Sequence, residues 1–443
     1  MSVFLLILGA CSTGNIPDES NEALQHQGAP PPMVPVKTIP GEMELVGEPT
    51  GDQRSILLVS WDTVRADTAG LNKNPGIQSL QAQSRTFSQA ISHFPETGIS
   101  HWALMTGVEP EIHGNVPGTG GSRYRGPTLA EIVQKFGYKT GAFIGGMTMT
   151  NQSTGLGRGF DVYDDTWDWM RKDVRPGAEV TARAVSWIQK QDGPFFAFVH
   201  LFEAHHPYEP QPAFEQPIDS DGHRPPEVQA EFAKYQGEIR FMDSLLNQLI
   251  QAAGEDCIVI LTADHGESFE HDYLYNHRES LWDSTLNIPL IIRGPGMQAG
   301  STSSELVALT DVLPTVLDLA GLPQEAKIQG NSLLDSVKRT HVDALTDPWI
   351  GDSHSFAVRS ATHKVIWTKS GEVLTYDIRI DPNEEHPLET IPDDLVNAKQ
   401  EYKKRMIGAQ NLQRDALKSR FLPPEEVQRL RALGYVGQPG EKH

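Results

Sequence analysis

Cysteine is nearly absent from the 443-residue chain, which carries only Cys11 and Cys257. Two cysteines exclude a disulfide framework and a cysteine-rich zinc site. Cys257 lies within an apolar run and reads as a small buried core residue. Basic residues are also scarce, 37 Lys and Arg against 58 Asp and Glu, and the net charge of −21 excludes a general nucleic-acid binder. Long apolar runs are missing too. Apart from residues 1–10, none approaches the length of a membrane span.

Residues 1–10, MSVFLLILGA, are too short to cross a bilayer as a helix but suit the hydrophobic part of a signal peptide. Leu8-Gly9-Ala10-Cys11 resembles the bacterial lipobox, whose cysteine is lipidated and becomes the mature N-terminus. The expectation is a protein of the bacterial cell envelope, periplasmic or outer-membrane, with its membrane contact made through lipidated Cys11. Residues 12–52 read as a tether, with Pro30, Pro31, Pro32, Pro35 and Pro40 and few large apolar side chains. The remaining length suits a large domain over residues 53–345 and a smaller unit with a helical tail over 346–443.

Three apolar runs from distant parts of the chain end on metal-ligand chemistry. Ile56, Leu57, Leu58 and Val59 lead to Asp62; CIVILT at 257–262 leads to Asp264 and His265; FFAFVHL at 195–201 leads to Glu203, His205 and His206. Runs without alternation suit parallel strands covered on both faces, and ligands bind beyond the carboxyl ends of such strands. The pattern therefore predicts an α/β fold with one metal site at the sheet edge. In so acidic a chain, the metal would hold a small anionic substrate.

Residues 77–84, 128–136, 177–191, 227–253 and 310–320 read as helices, and 85–91, 140–144 and 287–294 as further strands. Residues 102–107 form a helix closed by Gly107, so Thr97 or Ser100 stands near a helix start. Backbone N–H groups there are expected to bind phosphate or sulfate oxygens, and a hydroxyl there is a cap or a nucleophile. Gly155, Gly157 and Gly159 lack the strand-then-helix setting of a nucleotide site. Residues 210–226 read as a lid or rim of the cleft. Runs at 356–359, 364–367 and 373–376 predict a small antiparallel sheet.

Together these stretches resemble the sulfatase family of the alkaline-phosphatase superfamily. The resemblance rests on Trp61-Asp62-Thr63-Val64-Arg65-Ala66-Asp67, on residues 97–107 with His113-Gly114, and on Glu203-Ala204-His205-His206-Pro207-Tyr208. It continues through Thr262-Ala263-Asp264-His265-Gly266-Glu267, Ile288-Pro289-Leu290 and Asp311-Val312-Leu313-Pro314-Thr315. It implies a mostly parallel sheet sandwiched by helices, with a smaller C-terminal antiparallel sheet. It also implies a divalent metal, calcium, manganese or zinc, held by Asp62, Asp264 and His265.

Departures from the family shape the functional expectation. Thr97 stands where sulfatases have the formylglycine precursor, His101 where an arginine follows it, and Thr63 at the second acid. Residues 145–148, Gly-Gly-Met-Thr, replace a lysine and a histidine. Thr97 is similar to the threonine of superfamily phosphodiesterases and phosphoglycerol transferases, which binds the metal and attacks phosphorus. The expected function is a metal-dependent hydrolase or transferase of phosphoric esters. The alternatives are sulfuric ester hydrolysis by an altered site and an inactive lipid-anchored binding protein. His205, His277, Glu203 and His101 are candidates for a second metal or for substrate oxygens.

Overall fold

Runs of apolar residues with no polar alternate must be covered on both faces, and the fold does this with one sheet between helical layers. A computed structural model describes residues 42–51, 53–67, 74–115, 122, 124–167, 174–215, 224–271, 273–336, 339–346, 355–393, 395–398 and 400–401. The lipobox, most of the tether and the C-terminal helical tail lie outside these residues.

Among the described residues the main sheet has eight strands: β1 Ile56–Trp61, β2 Arg85–Ile91, β3 Lys139–Ile144, β4 Val162–Asp164, β5 Phe195–Leu201, β6 Ile258–Ala263, β7 Asn287–Arg293 and β8 Ser301–Ala308. Their spatial order is β8-β2-β7-β6-β1-β5-β3-β4. Only β7 runs antiparallel to its neighbours. Every residue of β1, β5 and β6 is buried, as central strands require. β1 pairs in parallel with both β5 and β6, so the three runs singled out in the sequence lie side by side and end at one edge.

The main helices are α1 Pro75–Gln81, α2 Thr97–Thr106, α3 Leu129–Lys135, α4 Gly177–Ile188, α5 Pro226–Ala253 and α6 Val312–Leu319. α3 opens on a capping box, Thr128 with Glu131. α2 closes on Gly107 at φ 68°, the left-handed cap that glycine takes without strain. Among the described residues no helix is long and apolar enough to cross a membrane.

The smaller antiparallel sheet contains the three expected strands and a fourth: β9 His341–Leu345, β10 Phe356–Ser360, β11 His363–Trp367 and β12 Val373–Asp377, in that order. Strand β9 corrects the boundary at residue 345, because it belongs to the small sheet. The sheet is not a separate body. Leu345, Phe356, Val358, Val365 and Trp367 share one apolar cluster with Phe94 and Ile99, at the head of α2.

The tether is also corrected at its end. Leu45–Val46 pairs antiparallel with Gln324–Glu325, and Glu44 N–H donates to Glu325 Oε2 at 2.9 Å. A two-residue pairing leaves no periodic signature, so composition alone did not disclose it.

Candidate metal centre at the sheet edge

Asp62 follows β1 and Asp264 follows β6, so parallel pairing of these strands brings two carboxylates together. Both are fully buried, as are Thr97, His101, His200 and His265. Ligand atoms of Asp62, Asp264 and His265 lie within 4.8 Å of one another.

Each of these three side chains has one side satisfied and the other bare. Asp264 Oδ1 accepts from Thr63 N–H at 3.1 Å and His265 N–H at 2.8 Å. Asp62 Oδ2 accepts from the Thr97 hydroxyl at 3.3 Å and from His200 Nε2 at 3.1 Å. His265 Nδ1 lies 2.9 Å from Gly266 O; a carbonyl only accepts, so Nδ1 carries the proton and Nε2 keeps its lone pair. Asp62 Oδ1, Asp264 Oδ2 and His265 Nε2 are then buried polar atoms with no hydrogen-bond partner.

Electrostatics point the same way. Burial pushes the Asp62 carboxyl up to about 8, with Glu267 adding to the rise and His277 opposing it. Burial, then the Asp62 charge, raises Asp264 well above the carboxylate range. Burial holds His265 well below its usual value, and therefore neutral. Two adjacent buried carboxylates and a neutral imidazole, each with an unfilled lone pair, fit a divalent cation.

Thr97 is the first residue of α2, and its hydroxyl reaches this cluster. The cap is Glu96, whose Oε2 accepts from Ile99 N–H at 3.1 Å. This corrects the expectation of free amides at that helix start: a carboxylate of the chain already takes those of Ile99 and Gly98. Ser100 turns away and donates to Phe94 O at 2.5 Å.

The second-metal candidates divide. His101 Nδ1 lies 2.7 Å from Thr97 O and Nε2 2.9 Å from Ser60 Oγ. Its Nδ1 therefore carries a proton, and although Nδ1 sits 3.7 Å from Asp264 Oδ2, the ring is committed to bracing α2. Glu203 accepts from Gly177 N–H at the start of α4, which is a capping contact. His277 lies beside the cluster, its ring 4.3 Å from His265. Its Nδ1 donates to Glu267 Oε1 at 3.0 Å, and Nε2 is buried and bare. His205 stacks on Phe202 at 4.5 Å and meets His277 edge-on at 5.3 Å. Among the described residues His101 converges with His200 and Asp264, all buried and with ligand atoms within 4.8 Å of one another, whereas His205, His277 and Glu203 belong to no such set. His206 stacks on Tyr275, His271 on Trp282 and His113 on Trp102, and none of the three joins a convergent ligand set among the described residues.

Sequence reading passed over His200 and Glu267. His200 sits inside β5, donates to Asp62, and is pulled down to about 3 by burial. A lone histidine in an otherwise apolar strand was the available signal. Glu267 holds His277 and accepts from Tyr208 OH at 3.1 Å.

Residues 145–148, where the lysine and histidine are missing, are shaped by close approach. A Cβ on Gly146 would stand 2.3 Å from the Phe202 ring, and one on Gly145 would stand 2.8 Å from His200 O. The aromatic ring fills the space a longer side chain would need.

Comparison with known proteins accords with this geometry. The Sulfatase family model matches residues 54–322, and the model for the C-terminal part of N-sulphoglucosamine sulphohydrolase matches residues 269–418. Arylsulfatase K of Bos taurus is 24% identical over 398 residues, 70% of this chain and 73% of that protein. Arylsulfatase K of Homo sapiens is 32% identical over 164 residues, 32% of this chain and 30% of that protein. The crystal structure of a phosphonate monoester hydrolase of Agrobacterium radiobacter shares the fold with a TM-score of 0.67 at 18% identity, covering 82% of this chain and 96% of that one. With more than half of its length matched by the family model, and with two carboxylates and a histidine gathered at the edge of a sulfatase-type sheet, the chain belongs to the sulfatase family.

Proposed function

We propose that the protein is a metal-dependent hydrolase or transferase of phosphoric esters, with Thr97 as nucleophile and Asp62, Asp264, His265 and Thr97 as metal ligands. The observation that carries this reading is the Thr97 hydroxyl, 3.3 Å from Asp62 Oδ2, beside three buried ligand atoms that nothing else satisfies. A bound divalent cation supplies charge stabilisation for the transferred group and lowers the pKa of the threonine hydroxyl.

The residues of the chain divide the remaining work. Asp62 orients the Thr97 hydroxyl and is the nearest acceptor for its proton. Thr97 Oγ bonds to phosphorus as the bond to the leaving oxygen breaks, giving a threonine ester. Water or an alcohol then attacks the same phosphorus and releases Thr97. His277, clamped through Nδ1 by Glu267, offers Nε2 for proton exchange with the leaving or incoming oxygen. His101 braces the Thr97 carbonyl and His200 the Asp62 carboxylate, their rings meeting edge-on at 5.1 Å.

A sulfuric ester is the second reading, favoured by the arylsulfatase relatives. Parallel assays of an aryl phosphodiester and an aryl sulfate, with calcium, manganese or zinc supplied, separate the two. Thr97→Ala is expected to lower turnover of the preferred ester by roughly a thousandfold or more with the thermal midpoint retained. Full activity in that variant would remove the threonine from the mechanism. Failure of the wild-type protein to turn over any ester would leave the binding-protein alternative. Anchoring through lipidated Cys11 is proposed with this activity and places it in the cell envelope.

A further inference from the structure

The first amides of a helix are the usual dock for the oxygens of a phosphate or sulfate group. At α2 they are taken. Glu96, next to the nucleophile and 3% exposed, accepts from Ile99 N–H at 3.1 Å, and Gly98 N–H also lies against its carboxylate. Burial raises the Glu96 carboxyl above its ordinary value, the Arg278 charge, the Ile99 and Gly98 amides and His277 oppose that rise, and the Glu96 charge reaches Asp62.

Among the described residues Arg278 is the cation set against this carboxylate, while two cations expected around Thr97 itself are missing. His101, held neutral by burial, replaces the arginine. Phe202 fills the space beside Gly146 where a lysine is missing. Asp62, Asp264, Glu96 and Glu267 are all buried in or beside the site.

We propose that Glu96 is a specificity residue. It confines the site to esters whose transferred group carries one negative charge, namely a phosphodiester, a phosphonate monoester or a sulfate monoester, and turns away the dianionic phosphate monoester. A second anionic oxygen at the head of α2 would meet a buried carboxylate that already holds the helix-start donors, so recognition works by repulsion as much as by attraction. The inference rests on the reading of Thr97 as nucleophile.

Glu96→Gln is the decisive variant, because the amide oxygen still caps Ile99 while the charge is gone; Glu96→Ala removes the cap as well. At pH 8, kcat/KM is measured for 4-nitrophenyl phosphate and for a 4-nitrophenyl phosphodiester with the same metal. The ratio of monoester to diester is expected to rise about tenfold or more in Glu96→Gln. An unchanged ratio, or a rise confined to Glu96→Ala, overturns the proposal, as does a wild-type protein that prefers the dianion.

Binding of inorganic phosphate to the metal-loaded protein by calorimetry supplies a readout without turnover. Glu96→Gln is expected to bind it roughly fivefold or more tightly than wild type, and equal affinities overturn the assignment. If the wild-type protein hydrolyses none of the esters, the proposed function fails by that result alone. The phosphate affinities still decide the role of Glu96.

Discussion

Thr63 adopts φ 59°, a left-handed conformation that a β-branched residue rarely takes and that costs about 1–3 kcal/mol. Its N–H donates to Asp264 Oδ1, its hydroxyl to Asp62 O at 2.7 Å, and its carbonyl accepts from Tyr235 OH at 2.8 Å. The family's second acid is thus replaced by a backbone amide that fixes a carboxylate. Asp62, raised from 3.8 to about 8 chiefly by burial, carries a pH signature in metal-free protein. The folded state holds this proton more tightly than the unfolded chain, so the group's stabilisation is full below about pH 4 and is lost as pH rises through about 8. Thermal midpoints of chelated protein are expected to fall from pH 5 to pH 8, and saturating divalent cation should flatten that slope. A flat profile in chelated protein would show that these carboxylates do not need the cation.

At the scale of elements, the turn after β6 is as tightly built as the strand itself. A Cβ on Gly266 would stand 2.0 Å from Ser284 O, a backbone atom with little freedom to move. The same glycine's carbonyl receives the Nδ1 proton of His265 and so presents Nε2 to the cluster. Gly266→Ala is expected to cost about 1–3 kcal/mol of stability and to weaken metal affinity in the same variant, read by thermal melting and calorimetry. Loss of stability with metal affinity intact would show that the turn does not position His265. Strand ends were readable here because central strands announce themselves as unbroken apolar runs. The first residues of α2 carry no helical signature in the sequence, which predicts a helix only from residue 102, because all ten residues of α2 are buried and it shows no amphipathic stripe.

Over the whole molecule, a buried ionic group ties the small sheet to the large one. Asp283, just before β7, accepts from Lys364 Nζ at 2.7 Å and Arg359 Nε at 3.0 Å, and Lys364 also meets Glu384 at 2.9 Å. Burial, offset by Lys364, raises Glu384 to about 7, while Arg359 and Lys364 hold Asp283 down at about 2 against its own burial. With Ile99 packed into the small sheet's apolar cluster, the C-terminal strands support the helix that carries Thr97. The proposed envelope location is tested at this scale. Expressed with residues 1–11 included in a bacterial host, the wild-type protein is expected in the membrane fraction, and Cys11→Ser should release most of it. An unchanged distribution would refute lipidation at Cys11.

The amino-acid order alone determined the sheet and the acids at its edge, and put Thr97 near a helix start, since burial on both faces, strand-end placement and helix closure are local properties written in short runs. Only the tertiary structure decided which atoms are bare, which tautomers the histidines hold and that Glu96 fills the helix start. Those outcomes depend on contacts such as Thr63 with Asp264, 201 residues apart in the chain. No periodicity or propensity encodes an approach over that separation; packing does.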